Sequence, residues 1–212
     1  MKYLTKEWYT AMQLVRREGM YREIPDADYS DEEINGFIQK RLSEDASFKD
    51  TYNTFMQNIA DFSPKWLKET VDLRLIALGM LPSFAYKRLS AEIEGARKDV
   101  TAGENQFNEA TSLQRLPAIF MKSFTIHDAK LFFLGKSGNK IVMTFDLSYG
   151  SRTIQFLDAT VITDELPASM DVRFLYNEIY RVGLNFEIHM LFEGKEGELY
   201  YYTLQCSDVA TE

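Results

Sequence analysis

Cysteine, histidine and long apolar runs are all scarce in this chain. A single cysteine, Cys206, stands among 212 residues, which excludes an intramolecular disulfide and any thiolate cluster for a metal. The two histidines are His127 and His189, so imidazole chemistry has only two addresses. No window approaches the ~20 apolar residues that span a bilayer. The start, Met1-Lys-Tyr-Leu-Thr-Lys-Glu-Trp8, lacks the apolar run of a secretion signal, because Lys6 and Glu7 interrupt it. Basic stripes are missing too. Lys and Arg number 16 against 19 acids in residues 1–118 and 8 against 13 in residues 119–212, for a net charge of −8. That balance disfavours a nucleic-acid partner and docking on an anionic membrane. Absent as well are GxSxG, HExxH, GxGxxG and a phosphate-cradling glycine loop. The expectation is a soluble, cytoplasmic protein without cofactor or metal, leaning away from catalysis.

What is present begins with helical periodicity. Thr5 is placed to cap a helix with Trp8, Met12 and Val15 on one face, stopped near Gly19. Ser30-Asp-Glu-Glu33 has the form of a capping box opening a second helix with Ile34, Phe37, Ile38 and Leu42. A third carries Phe48, Tyr52, Phe55, Met56 and Ile59, and Ser63-Pro64 starts a fourth that ends near Gly79 to Pro82. The most regular stretch follows. Leu89, Ile93, Ala96, Val100, Gly103, Phe107 and Ala110 alternate spacings of four and three, a seam that requires a facing helix. Two readings stand open over Phe84 to Leu116: a break at Gly103, or one continuous helix in which Gly103 accepts a close crossing. The seam is read as core within the chain, with a homodimer contact through the helical half as the alternative.

Pro117 ends that half. Beyond it come runs of β-branched and aromatic residues: Thr125–Leu134, Ile141–Leu147, Arg152–Thr163, Arg173–Val182, Phe186–Phe192 and Leu199–Cys206. Most are joined by short turns containing glycine, which link antiparallel neighbours. The predicted class is α+β. A helical region, 1–118, with four or five helices, one of them long, packs with an antiparallel meander of five or six strands over 119–212.

Four polar residues in the strand-rich half are candidates for a binding site: His127, Asp128, Glu178 and His189. Two imidazoles and two carboxylates would bind a metal or move protons if they converged. Alternation along a strand argues against convergence. His127 shares its side with Ala129, Leu131 and Phe133 and is expected inward, whereas His189 is expected outward. Glu178 falls on one side with Phe174, Tyr176, Tyr180 and Val182, so it needs a partner or must be neutral. His127 or a tyrosine hydroxyl is the expected partner, in a structural buried polar pair. Cys206 is read as a packed thiol.

Met1-Lys-Tyr-Leu-Thr-Lys-Glu-Trp-Tyr9, Ile126-His-Asp-Ala-Lys-Leu131, Leu175-Tyr-Asn-Glu-Ile-Tyr180 and Phe186-Glu-Ile-His-Met-Leu191 together resemble an uncharacterised bacterial family known as domain of unknown function 4085. Their order and spacing span nearly the whole chain, and the family implies no activity. The His127-Asp-Ala129 motif also resembles sheet-forming families that act as immunity proteins beside bacterial toxins. These observations lead to an expected non-enzymatic role in binding a protein partner or a second copy, toxin immunity included. A small-molecule-binding or hydrolytic sheet using Glu178 and His127 is the alternative.

Overall fold

The computed structural model describes residues 1–112, 114 and 116–212, and only the backbone of residues 58–62. The expected place of Ile59 on its stripe, and the course of the long helix across positions 113 and 115, lie outside the described residues. The chain divides into two compact units. One comprises residues 11–99, the other residues 1–10 together with 100–212.

Local signals account for most of the helical unit. It takes the end of α1 (Lys6–Val15), then α2 (Asp31–Glu44), α3 (Phe48–Phe62), α4 (Lys65–Thr70), α5 (Leu73–Ala77) and the first half of α6 (Ser83–Ser112). Ser30 and Glu33 form the expected capping box: the Glu33 N–H donates to the Ser30 hydroxyl, and the Ser30 N–H to the Glu33 carboxylate at 2.8 Å. The run read as a fourth helix is split, because Asp72 caps a new helix by accepting from the Arg74 N–H at 2.8 Å. Gly79, at φ +68°, ends α5 and leads into a short parallel pair, β1 (Arg22–Ile24) against β2 (Met80–Pro82). Ile34, Leu67, Leu75, Ile76, Leu81, Leu89 and Ile93 form this unit's core.

Helix α6 is unbroken from Ser83 to Ser112, so the continuous reading of Gly103 holds. Its seam is already covered, with Leu89, Ile93, Ala96 and Val100 all buried. A Cβ at Gly103 would lie 2.8 Å from Cδ1 of Trp8, whose indole N–H donates to the Val100 carbonyl at 3.3 Å. The close crossing at Gly103 is therefore with α1.

The second unit adds α7 (Ala118–Ser123) and the strands β3 (Lys130–Ser137), β4 (Lys140–Leu147), β5 (Gly150–Leu157), β6 (Thr160–Asp164), β7 (Val172–Val182), β8 (Asn185–Gly194), β9 (Leu199–Cys206) and β10 (Asp208–Thr211). They form one antiparallel sheet of eight strands in the order β10-β5-β4-β3-β7-β8-β9-β6. The α+β class and its antiparallel sheet are as expected, with two more strands. The run Arg152–Thr163 divides at Asp158, which takes φ +49° and sends β6 to the far edge against β9. The chain also continues past Ser207, whose N–H donates to the Leu157 carbonyl at 2.9 Å, and β10 then pairs with β5. Two meanders, β3-β4-β5 and β7-β8-β9, meet at the single pairing of Lys130 with Arg173. Phe174 knits them together on the core side, 5.8 Å from the Phe145 ring and 5.7 Å from that of Phe192. Phe120 and Phe124, on and just after α7, complete this core.

Candidate functional site

Strand β7 carries the one buried carboxylate among the described residues. Glu178 is 0% exposed. A bulge explains how it reaches its place: the pairing of β7 with β8 slips between Phe174 and Tyr176. Phe174 consequently faces the core, while Tyr176, Glu178 and Tyr180 take the other side of the sheet, toward residues 1–10. The sequence expectation that all four shared a side is corrected by this extra residue, which resets the alternation.

Residues 2–4 supply the partners. The N–H groups of Tyr3 and Leu4 donate to Oε1 of Glu178 at 2.9 and 2.5 Å, and that of Lys2 to Oε2 at 2.6 Å. The Tyr180 hydroxyl donates to Oε2 at 2.7 Å. Consecutive amide groups turned inward make a concave anion site, here filled by the protein's own carboxylate. Burial alone would raise the Glu178 pKa. The four donated hydrogen bonds outweigh it and hold the carboxyl below the usual glutamate range. Tyr180 moves the other way, its phenol pushed well up by burial and by its bond to Glu178.

His189 lies directly across from Glu178 in the pairing of β7 with β8. Its Nε2 is 2.6 Å from Oε1 of Glu187 and its Nδ1 3.4 Å from the Thr203 hydroxyl. The Tyr180 ring stands edge-on to it at 5.5 Å. The imidazole is 12% exposed, so the expected outward residue is largely enclosed. Burial lowers its pKa, against the pull of Glu187.

His127 is placed contrary to expectation. Residues 126–129 form a turn closed by the Ala129 N–H donating to the Ile126 carbonyl at 3.0 Å, and β3 begins only at Lys130. Asp128 holds φ +64°, a left-handed conformation aspartate tolerates better than most residues. The His127 side chain is 43% exposed. Its Nδ1 meets Asp128 Oδ2 at 2.9 Å, and its ring meets Tyr176 edge-on at 4.9 Å. Arg173 stands 3.7 Å from Asp128 and donates from Nε to Glu193 at 2.6 Å. His127 is thus neither interior nor the partner of Glu178, because strand alternation does not extend into a turn.

Glu178 and His189 come together on one side of the sheet, and His127 pairs with Asp128 at its rim. Among the described residues no group of three or more His, Cys, Asp or Glu is arranged to hold a metal. Chemically, the buried set is a clamp: its carboxylate is closed to solvent and engaged by four donors. Of the two partners the sequence offered for Glu178, the structure selects the tyrosine hydroxyl: Tyr180 lies two residues away on the same strand and so shares its side. Sequence reasoning missed the amides of residues 2–4, which leave no mark in side-chain types. The Cys206 thiol is buried and pushed up to about 12 by desolvation, which keeps it protonated and unreactive. No helix among the described residues is long and apolar enough to cross a membrane. No protein-family model matches this chain, and no curated protein or solved structure is significantly similar to it.

Proposed function

We propose that this is a cytoplasmic, non-enzymatic protein that binds a protein partner through β3 and the adjoining surface of β4. The observation that carries this reading is the exposure of two consecutive aromatic residues in a central strand, Phe132 at 73% and Phe133 at 47%. A bulge between Leu131 and Phe133 makes Phe132 the extra residue. It lets Leu131 and Leu134 both pack on the core while leaving the phenylalanines outside. Isolated exposed apolar residues are ordinary, but adjacent aromatic ones within a sheet mark contact surfaces. Lys136 and Lys140 lie exposed at the turn end of the same hairpin, so the partner that fits presents an apolar patch bordered by carboxylates. Toxin immunity is a narrower form of this reading. The family resemblance read from the motifs adds no activity to it.

Affinity capture from the source cells tests the proposal. Wild type is compared with a Phe132→Ser/Phe133→Ser variant and with a Val182→Ser/Leu184→Ser control that removes other exposed apolar residues. A stoichiometric partner retained by wild type and control but lost from the first variant supports the reading. One set of proteins common to all three, or a retained metabolite and no protein, overturns it.

A further inference from the structure

The helical unit contains a cavity of about 600 Å³, within the usual ~300–1,000 Å³ for small-molecule sites. It forms where the chain leaves α1. The Arg17 N–H donates to the Leu14 carbonyl and the Met20 N–H to the Arg17 carbonyl, both at 3.1 Å, and Gly19 reverses the chain at φ +77°. This loop faces one side of α6, whose Leu89 and Ile93 give the cavity an apolar wall. Tyr21 and Tyr86 also line it.

Charge decides what such a space would hold. Both carboxylates on the wall are engaged: Glu18 with Arg97, and Glu94 with Lys98 at 3.2 Å. Arg17 is different. It is partly buried, and among the described residues no carboxylate lies within ion-pair distance of it. Among the described residues the wall therefore carries one uncompensated positive charge, in a unit that is acidic overall, with 13 Lys and Arg against 16 Asp and Glu in residues 11–99. Burial also pulls the Arg17 pKa below the ordinary guanidinium value. A guanidinium presents a planar fork that matches carboxylate and phosphate oxygens.

We propose that this cavity binds a small organic anion, its carboxylate or phosphate head on Arg17 and its apolar body against Leu89 and Ile93. The site is separate from the sheet surface assigned above to a protein partner, so either can fail alone.

Titration calorimetry on the full chain tests it, with hexanoate, phenyl phosphate, inorganic phosphate and neutral hexanol as probes. An anionic probe with an apolar body is expected to bind saturably and hexanol not. Tighter binding of hexanoate assigns a carboxylate head, and tighter binding of phenyl phosphate a phosphate monoester. Arg17→Gln should weaken binding by about tenfold or more, the loss of one charge-assisted contact, and Arg17→Lys by less. Ser90→Trp, on the exposed side of α6, should block the cavity and serves even if the Arg17 variants unfold. No saturable binding by any anion, equal binding of hexanol, or binding unchanged in Ser90→Trp overturns the proposal.

Discussion

Glu178 shows how a single side chain can tie distant segments together. Its carboxylate accepts from three successive amides about 175 positions away in sequence, so its charge matters more than its size. Glu178→Gln keeps the volume but presents an NH₂ group to amide donors, leaving at least one of them unpaired. We expect a loss of about 2–4 kcal/mol at neutral pH, the range for losing charge-assisted hydrogen bonds and leaving a buried donor unpaired. The pH dependence has a definite sign. A carboxyl with a depressed folded pKa contributes fully above its unfolded value of about 4.3, and that contribution is lost as pH falls through the folded value. Urea midpoints for wild type and variant should accordingly differ most at pH 7 and converge toward pH 3. An equal gap at both would mean that charge is not what the amides recognise. His127, by contrast, is exposed at a turn. His127→Ala should change stability by no more than about 0.5 kcal/mol, and a double-mutant cycle with Glu178→Gln should be additive within a similar margin. Coupling above ~1 kcal/mol would contradict the separation of the two side chains.

Helix α6 is the element whose sequence pattern and packing agree best. Its alternating spacings of four and three place Leu89, Ile93, Ala96 and Val100 in the interior. Gly103 continues the same line where a larger residue will not fit. Alanine there would gain about 1 kcal/mol of helix propensity over glycine. It would also push a methyl group into the Trp8 indole, which is buried and pinned to the Val100 carbonyl. Overpacking of this kind costs about 1–3 kcal/mol, so the clash wins. Gly103→Ala should lower stability by about 1 kcal/mol in urea unfolding. A more stable variant would show that the indole can yield.

For the molecule as a whole, spatial units do not follow chain order. Residues 1–10 belong with 100–212, and their amides close over Glu178. A fragment of residues 119–212 contains every strand of the large sheet but none of those donors. It would also expose Tyr176 and Tyr180, covered in the full chain by Trp8, Tyr9 and Lys2. Expressed alone, it should lack a cooperative unfolding transition by circular dichroism, whereas the full chain should show one. A fragment unfolding as sharply as the full chain would mean that the amino-terminal residues are dispensable.

The sequence by itself determined what depends on neighbours one turn or one strand step away. The Ser30 capping box, the α6 seam, the glycine turns and the antiparallel hairpins were legible because the groups that make them lie within a few residues of each other. The α+β class follows from the same local periods. What only the tertiary structure decided begins with two bulges. At Phe132 and at Leu175 one extra residue reverses every side chain beyond it, and no composition signal announces that. The turn at His127-Asp128 likewise turned an expected interior histidine into an exposed one. The amide partners of Glu178 were least visible of all. They are main-chain N–H groups, identical at every residue except proline, and only the path of the folded chain selects which of them meet a carboxylate.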